Sequence, residues 1–120
     1  MTNSRRKGAK GELEFAKTLR EMFGVNASRT LQYCGRSPDS SDVVSDLSCH
    51  FEVKRVEKLN ISKAMEQSIR DASYSGRTPV VAHRRNGEEW MFTIRLKDIK
   101  RFVEENHEII IGKSMKSIDD

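Results

Sequence analysis

The sequence predicts an α/β domain, a mixed central β-sheet flanked by helices, on three observations. Apolar residues recur at helical spacing over residues 4–23 and again over residues 61–74. Residues 42–54, 78–83 and 89–95 instead alternate in polarity or run continuously apolar, as strands do. Helices interleaved with strands bury their apolar stripes against the faces of a sheet.

In the first helix Phe15, Ala16, Leu19, Met22 and Phe23 share one stripe, and Glu14, Lys17 and Glu21 lie off it as surface charges. One turn back the stripe reaches Glu12. A buried carboxylate is costly unless paired or metal-bound, so Glu12 either belongs to a site or marks where the stripe ends in solvent. Gly24 stops the helix. Residues 25–41 are the loosest part. Arg29 to Tyr33 is a candidate strand, and the turn-forming run from Cys34 to Ser41, carrying Arg36, either touches phosphates or simply connects.

Asp42 to Lys54 reads as two short strands joined by a turn at Asp46-Leu47-Ser48. Alternation in the second strand sends Phe51 and Val53 to one face, and His50, Glu52 and Lys54 to the other. Asn60 caps a helix from Ile61 to about Tyr74 whose small or apolar face is Ile61, Ala64, Met65, Ser68, Ile69 and Ala72. Gln67 and Asp71 lie on the shoulder of that face, and Gly76 ends the helix. Thr78 to His83 contains the buried-strand run Pro-Val-Val-Ala, and Asn86-Gly87 signals a two-residue hairpin into Glu89–Arg95. Trp90 and Phe92 there are core or dimer contacts. Leu96 to Asn106 is the last helix, with Leu96, Ile99, Phe102 and Val103 as its apolar face. Ile109 to Ile111 is an edge strand or a segment used in association.

A chain of 120 residues fits one domain spanning 1–120, with a basic N-terminal arm at 1–8 and a short polar tail at 112–120. One third of the residues are charged and no apolar run reaches a membrane span of roughly 18 residues, so no membrane partner is expected. The first residues lack the apolar segment of a secretory signal. Cys34 and Cys49 offer neither CxxC spacing, a disulfide framework nor a legible histidine partner for a nucleophile. A cytoplasmic location is the expectation. The net charge of +4 suits a polyanionic partner, and it is clustered in Arg5, Arg6, Lys7 and Lys10 and in His83-Arg84-Arg85. Each cluster is either a polyanion contact or a solvated surface.

Two carboxylates from neighbouring strands, Asp42 and Glu52, beside Lys54 make a site for a hard divalent cation. Such an ion polarises a phosphoryl oxygen and stabilises the leaving oxygen, while a lysine two residues from Glu52 on the same face orients the attacking water. The competing reading of Glu-x-Lys is an exposed strand ion pair. Asp39 and Asp46 are alternatives to Asp42 as first carboxylate. Other constellations are weaker. The turn accounts for Asn86, so His83 and Asn86 make no His-Asn nuclease finger, and Gly8 and Gly11 follow no strand and make no phosphate loop. His50 is a structural histidine or a phosphate contact, and His107 is helix-end surface.

Asp42-Val43-Val44, followed ten residues after the aspartate by Glu52-Val53-Lys54, resembles the PD-(D/E)xK nuclease superfamily. Arg6-Lys7-Gly8-x-x-x-Glu12 is similar to the opening of archaeal-type Holliday-junction resolvases and related phage nucleases. Phe51 to Asn60, Glu66 to Asp71 and Val80 to Asn86 resemble small phage proteins of this group, so the likeness runs from about residue 5 to 104. One departure is that Pro38-Asp39 is separated from Asp42 by two serines.

The resemblance implies a restriction-endonuclease-like core and a Mg²⁺- or Mn²⁺-dependent endonuclease, acting on DNA at branched structures and working as a homodimer. It implies an active site of Glu12, Asp42, Glu52 and Lys54, supported by Gln67, with Asp42, Glu52 and Glu12 as the metal carboxylates. Arg5, Arg6, Lys7, Lys10, Arg36, Arg55, Arg84 and Arg85 are then the candidate DNA contacts, and the chain is expected in a bacterial host cell, encoded by a phage or prophage. Rival readings are a nickase or end-processing nuclease with the same chemistry, and a DNA-binding recombination factor without catalysis.

Overall fold

The computed structural model describes residues 2–30 and 41–112, with side chains from Gly8 onward. Helix α1 (Thr2–Phe23) leads into the short strand β1 (Ala27–Arg29). After the segment 31–40 come β2 (Val43–Ser45), β3 (Cys49–Arg55), α2 (Ile61–Ala72), β4 (Thr78–Arg84) and β5 (Met91–Thr93). A 3₁₀ turn (Leu96–Asp98) then opens α3 (Ile99–Ile111). Residues 2–8, the expected basic arm, are the first turns of α1 in backbone. Arg36, Asp39 and the tail beyond Gly112 lie outside the described residues, as do the side chains of Arg5, Arg6 and Lys7.

The sheet is mixed. β3 pairs parallel with β4, in register Phe51↔Val80 and Glu52↔Val81, and β4 pairs antiparallel with β5. A parallel pair needs a long crossover, which α2 supplies. β1 and β2 form a separate antiparallel ribbon. It is joined to β3 by the Asp42 amide donating to the Phe51 carbonyl at 2.9 Å. Ser41 adds a second tie, its Oγ accepting from the Phe51 amide at 2.7 Å.

Both faces of β3 are covered, which is why Cys49 to Val53 is buried without a break. On one face α1 lays Phe15, Ala16 and Leu19 onto Phe51, Val53, Val80 and Ala82. Phe15 is the centre of this layer. Its ring meets Phe51 edge-on at 5.1 Å, Trp90 at 5.1 Å and Phe92 at 5.8 Å, a geometry that favours ring edges against ring faces. Helix α1 comes so close to β3 that a methyl on Gly11 would stand 3.0 Å from the Arg55 Cβ. On the other face α2 buries Ala64, Ser68 and Ala72. Ser68 Oγ lies 3.3 Å from the carbonyls of both His50 and Val80, so its single proton serves either strand. Asn60 caps α2 by accepting from the Lys63 amide at 3.1 Å.

Several expectations are corrected. Ile109 to Ile111 is the last turn of α3, not an edge strand, and the helix runs on to Gly112 at φ +82°. The β-branched run is overridden because Asn106 fixes the helical register. Its side chain accepts from the Ser48 amide at 2.7 Å and donates to the Phe102 carbonyl at 2.9 Å. The packed face of α3 is therefore Phe102, Asn106 and Ile109, and Leu96, Ile99 and Val103 are exposed, Leu96 at 88%. Met22 is exposed as well, because α1 ends beside it and Phe23 takes the last contact. Asn86-Gly87 sits in a longer loop than a two-residue hairpin. Gly87 has φ +75°, but Asn86 does not adopt the positive φ of the tight hairpin turn, and pairing resumes only at His83↔Met91. Among the described residues no helix is long and apolar enough to cross a membrane.

Candidate active site

Strand alternation and the double covering of β3 bring its polar residues into the interior beneath α2. Glu52 is 4% exposed, and Lys54, nearer the strand end, is half-buried with Nζ 3.4 Å from Glu52 Oε2. Asp42 reaches the same place from the start of β2. Its Oδ2 accepts the Val53 amide at 2.9 Å, which clamps the carboxylate onto the strand between Glu52 and Lys54. The expected triad of Asp42, Glu52 and Lys54 is thus drawn together by backbone register.

The electrostatics of this cluster favour a cation. Burial, and then the Asp42 charge, push the Glu52 carboxyl up to about 7, against a partial offset from Lys54 and a further push from Asp71. Lys54 at Glu52 and a loosely placed Arg70, its Nε 3.7 Å from Asp71, do not balance the three carboxylates of Asp42, Glu52 and Asp71. Carboxylates gathered around a buried one, with a surplus of negative charge, are the donor chemistry that hard divalent cations select. The residues present therefore fit such an ion. His50 extends the set, since a ring nitrogen of His50 and carboxylate oxygens of Glu52 and Asp71 lie within 4.8 Å of one another. Sequence reasoning placed Asp71 only on the shoulder of α2. The signal available was its position one turn after Gln67, on the side of the helix that Ser68 fixes against β3.

Glu12 is buried at 8% exposure, as the extended stripe allowed, and Arg29 of β1 donates to it through Nε at 2.8 Å. Arg29 is a partner the sequence did not suggest. Gln67 lies half-buried on α2 and lines a groove with Lys54. Asp46, the alternative first carboxylate, is exposed and accepts the Asn26 amide at 2.9 Å, holding a turn.

The basic residues divide. Arg84 donates to Glu14 Oε1 at 2.6 Å, and Arg55 Nε stands 3.2 Å from the same oxygen. Glu14 is therefore no free surface charge: it ties α1 to β3 and β4. Arg85 pairs with Glu88 at 2.8 Å on the exposed loop, and Lys10 is exposed on α1. His83 bonds Thr93 Oγ1 at 2.8 Å across the β4–β5 pair, as a structural histidine does. Cys49 is buried and its thiol is pushed up to about 12 by that burial, which leaves it unreactive.

Residues 3–118 match the family described as "Phage putative PDDEXK endonuclease". The chain belongs to that family. No curated protein sequence matches this phage nuclease. Among solved structures it is similar to the Holliday junction resolvase Hjc of Archaeoglobus fulgidus, at 22% identity and a TM-score of 0.56, over 73% of this chain and 72% of that one. At that identity the likeness speaks for the fold, a mixed sheet between helices of restriction-endonuclease type.

Proposed function

We propose that this PDDEXK family member is a divalent-metal-dependent endonuclease that hydrolyses DNA phosphodiester bonds at branched junctions. The observation that carries the reading is the meeting of Asp42 and Glu52 at Lys54, with the Glu52 carboxyl pushed up to about 7 by burial first and by the Asp42 charge second. Asp42 and Glu52 would hold Mg²⁺ or Mn²⁺, which when bound supplies a Lewis acid for the phosphoryl oxygen and the leaving oxygen. Lys54 orients the attacking water and offsets charge growing on the phosphate. The Val53 amide keeps the Asp42 carboxylate turned toward the strand. Water oxygen forms the new bond to phosphorus as the bond to the bridging ester oxygen breaks; one water proton ends on that leaving oxygen and the other passes to solvent. Gln67 and the Glu12–Arg29 pair support the site from α2 and α1.

Arg5, Arg6, Lys7, Lys10 and Arg36 are the DNA contacts we assign first, because Arg55 and Arg84 are committed to Glu14. Such contacts hold the backbone without reading sequence. A junction preference calls for two sites on one substrate, and the exposed apolar side chains of the 3₁₀ turn and α3, Leu96, Val103 and Ile111 among them, offer a homodimer its surface. The kinship with a resolvase fold supports this choice over a nickase or end-processing enzyme. Expression in a phage-infected bacterial cytoplasm fits the family.

The deciding experiment is cleavage of a labelled four-way junction beside matched duplex and single-stranded DNA, each with Mg²⁺, Mn²⁺ or EDTA. Paired, metal-dependent cuts confined to the junction, and lost by a factor of about 10² or more in Lys54→Ala, are expected. Cuts on every substrate would keep the chemistry and remove the junction preference. Tight junction binding without cutting in either metal would leave a binding factor.

A further inference from the structure

An open groove of about 460 Å³ includes Lys54 in its lining and runs along α2 as far as Arg70. Its charged lining is one-sided: Lys54, Lys58, Lys63 and Arg70 against Glu66 alone. A neighbouring groove of about 420 Å³, beyond the loop 56–59, has nearly the same size but three acidic residues, Glu57, Glu88 and Glu89, among its cations. Size therefore does not distinguish the two; charge does. Lys58 and Lys63 are exposed and form no ion pair among the described residues. Arg70 is mostly exposed and only loosely paired, with Nε 3.7 Å from Asp71.

The spacing along α2 gives this charge a direction. Lys63, Gln67 and Arg70 fall at i, i+4 and i+7, one stripe of the helix. At 1.5 Å per residue that stripe is roughly 10 Å long, about three nucleotides of one DNA strand at 3.4 Å each. It runs beside the active strand and shares its groove with Lys54, and its Arg70 end lies next to Asp71, a carboxylate within 4.8 Å of Glu52.

We propose that the DNA strand being cut continues from the active site into this groove, where Lys58, Lys63 and Arg70 neutralise successive phosphates on one side of the scissile bond. The assignment rests on the nuclease reading above and adds three phosphate contacts that neither the basic N-terminus nor the Arg84-Arg85 loop includes. It also gives Gln67 a place between substrate and site, since it stands on the stripe between Lys63 and Arg70. The catalytic lysine then shares one groove with these three cations.

The test compares wild type with Lys58→Ala/Lys63→Ala and with a control of equal charge change, Lys97→Ala/Lys100→Ala, on the 3₁₀ turn and α3. Anisotropy of a fluorescent four-way junction is titrated in EDTA and in Ca²⁺ over a range of monovalent salt. Each phosphate contact contributes about 0.9 to the slope of log affinity against log salt, so the groove variant should lose roughly 2 from that slope. The control should keep the wild-type slope. Both lysines of the groove variant are exposed, and the Asn60 cap uses the Lys63 backbone amide, so melting temperatures should coincide. An unchanged slope in the groove variant, or an equal loss in the control, overturns the groove while leaving the nuclease reading intact. Failure of wild type to bind DNA in either condition overturns both.

Discussion

Glu52→Gln should stabilise the metal-free protein at alkaline pH, an unusual outcome for a substitution at a buried site. In wild type the carboxyl titrates near its ordinary 4.5 when unfolded and at about 7 when folded, because burial and the Asp42 charge oppose its ionisation. Between those values the folded chain holds a proton that the unfolded chain has released. Stability from this group is therefore complete below about 4.5, declines as pH rises, and is lost once pH passes about 7. At about 1.4 kcal/mol per pH unit, ionised Glu52 costs the fold on the order of 3 kcal/mol at pH 8. Glutamine keeps an acceptor for Lys54 and removes the charge. For a domain of this length the gain is about 10 °C in Tm. Thermal melts in EDTA at pH 4.5 and pH 8 read it directly: the two proteins should nearly coincide at the lower pH and diverge at the higher. Mg²⁺ added at pH 8 should raise the melting temperature of wild type and leave the variant unmoved. Equal melting temperatures at pH 8 without metal, or a gap that does not change with pH, would refute the electrostatic account of the site.

Two further substitutions test the scaffold that holds it. Phe15→Ala empties the centre of the aromatic layer and should cost about 3–5 kcal/mol, a large share of a typical domain's stability, measurable by urea unfolding. Asn60→Ala leaves the Lys63 amide without its cap and should cost about 1 kcal/mol, while Asn60→Asp should retain most of the stability by the same melt.

What was legible in the sequence follows from how local its causes are. β3 was legible because period-two alternation with Phe51 and Val53 on one side places Glu52 and Lys54 on the other, whatever the rest of the chain does. The cap at Asn60 and the stops at Gly24 and Gly76 are local for the same reason. α3 was misread because its register is decided by one polar side chain, Asn106, bonding an amide in the distant turn at Ser48. An apolar stripe of Leu96, Ile99 and Val103 carried no trace of that bond. Glu14 lay off the α1 stripe and looked solvated, yet its partner Arg84 is 70 residues away in sequence. The Glu12–Arg29 pair was hidden in the same way: the stripe left open whether Glu12 is buried or ends in solvent, and its partner on β1 decides for burial.

The sequence groups cations at the N-terminus and at His83-Arg84-Arg85, each a polyanion contact or a solvated surface, and the fold sorts the described cations into two kinds. Arg29, Arg55, Arg84 and Arg95 are spent on carboxylates of the domain itself, at Glu12, Glu14 and Asp98. Each of these is an arginine, the residue whose planar fork fits a carboxylate best and whose weak hydration makes partial burial cheapest. The groove, by contrast, is lined mainly by lysines, which keep strongly hydrated point charges on flexible stems and suit phosphates that arrive and leave. The division has a mechanical consequence. Glu14 with its two arginines locks α1 against β3 and β4 beside the strand that carries Glu52 and Lys54, so the reactive side chains stand on a rigid strand. The charge that would grip DNA sits on side chains that contribute little to holding the fold. A protein arranged this way tolerates loss of groove lysines with intact stability and impaired binding, whereas loss of Glu14 would loosen α1 from the sheet and strand two guanidinium groups beside the active strand.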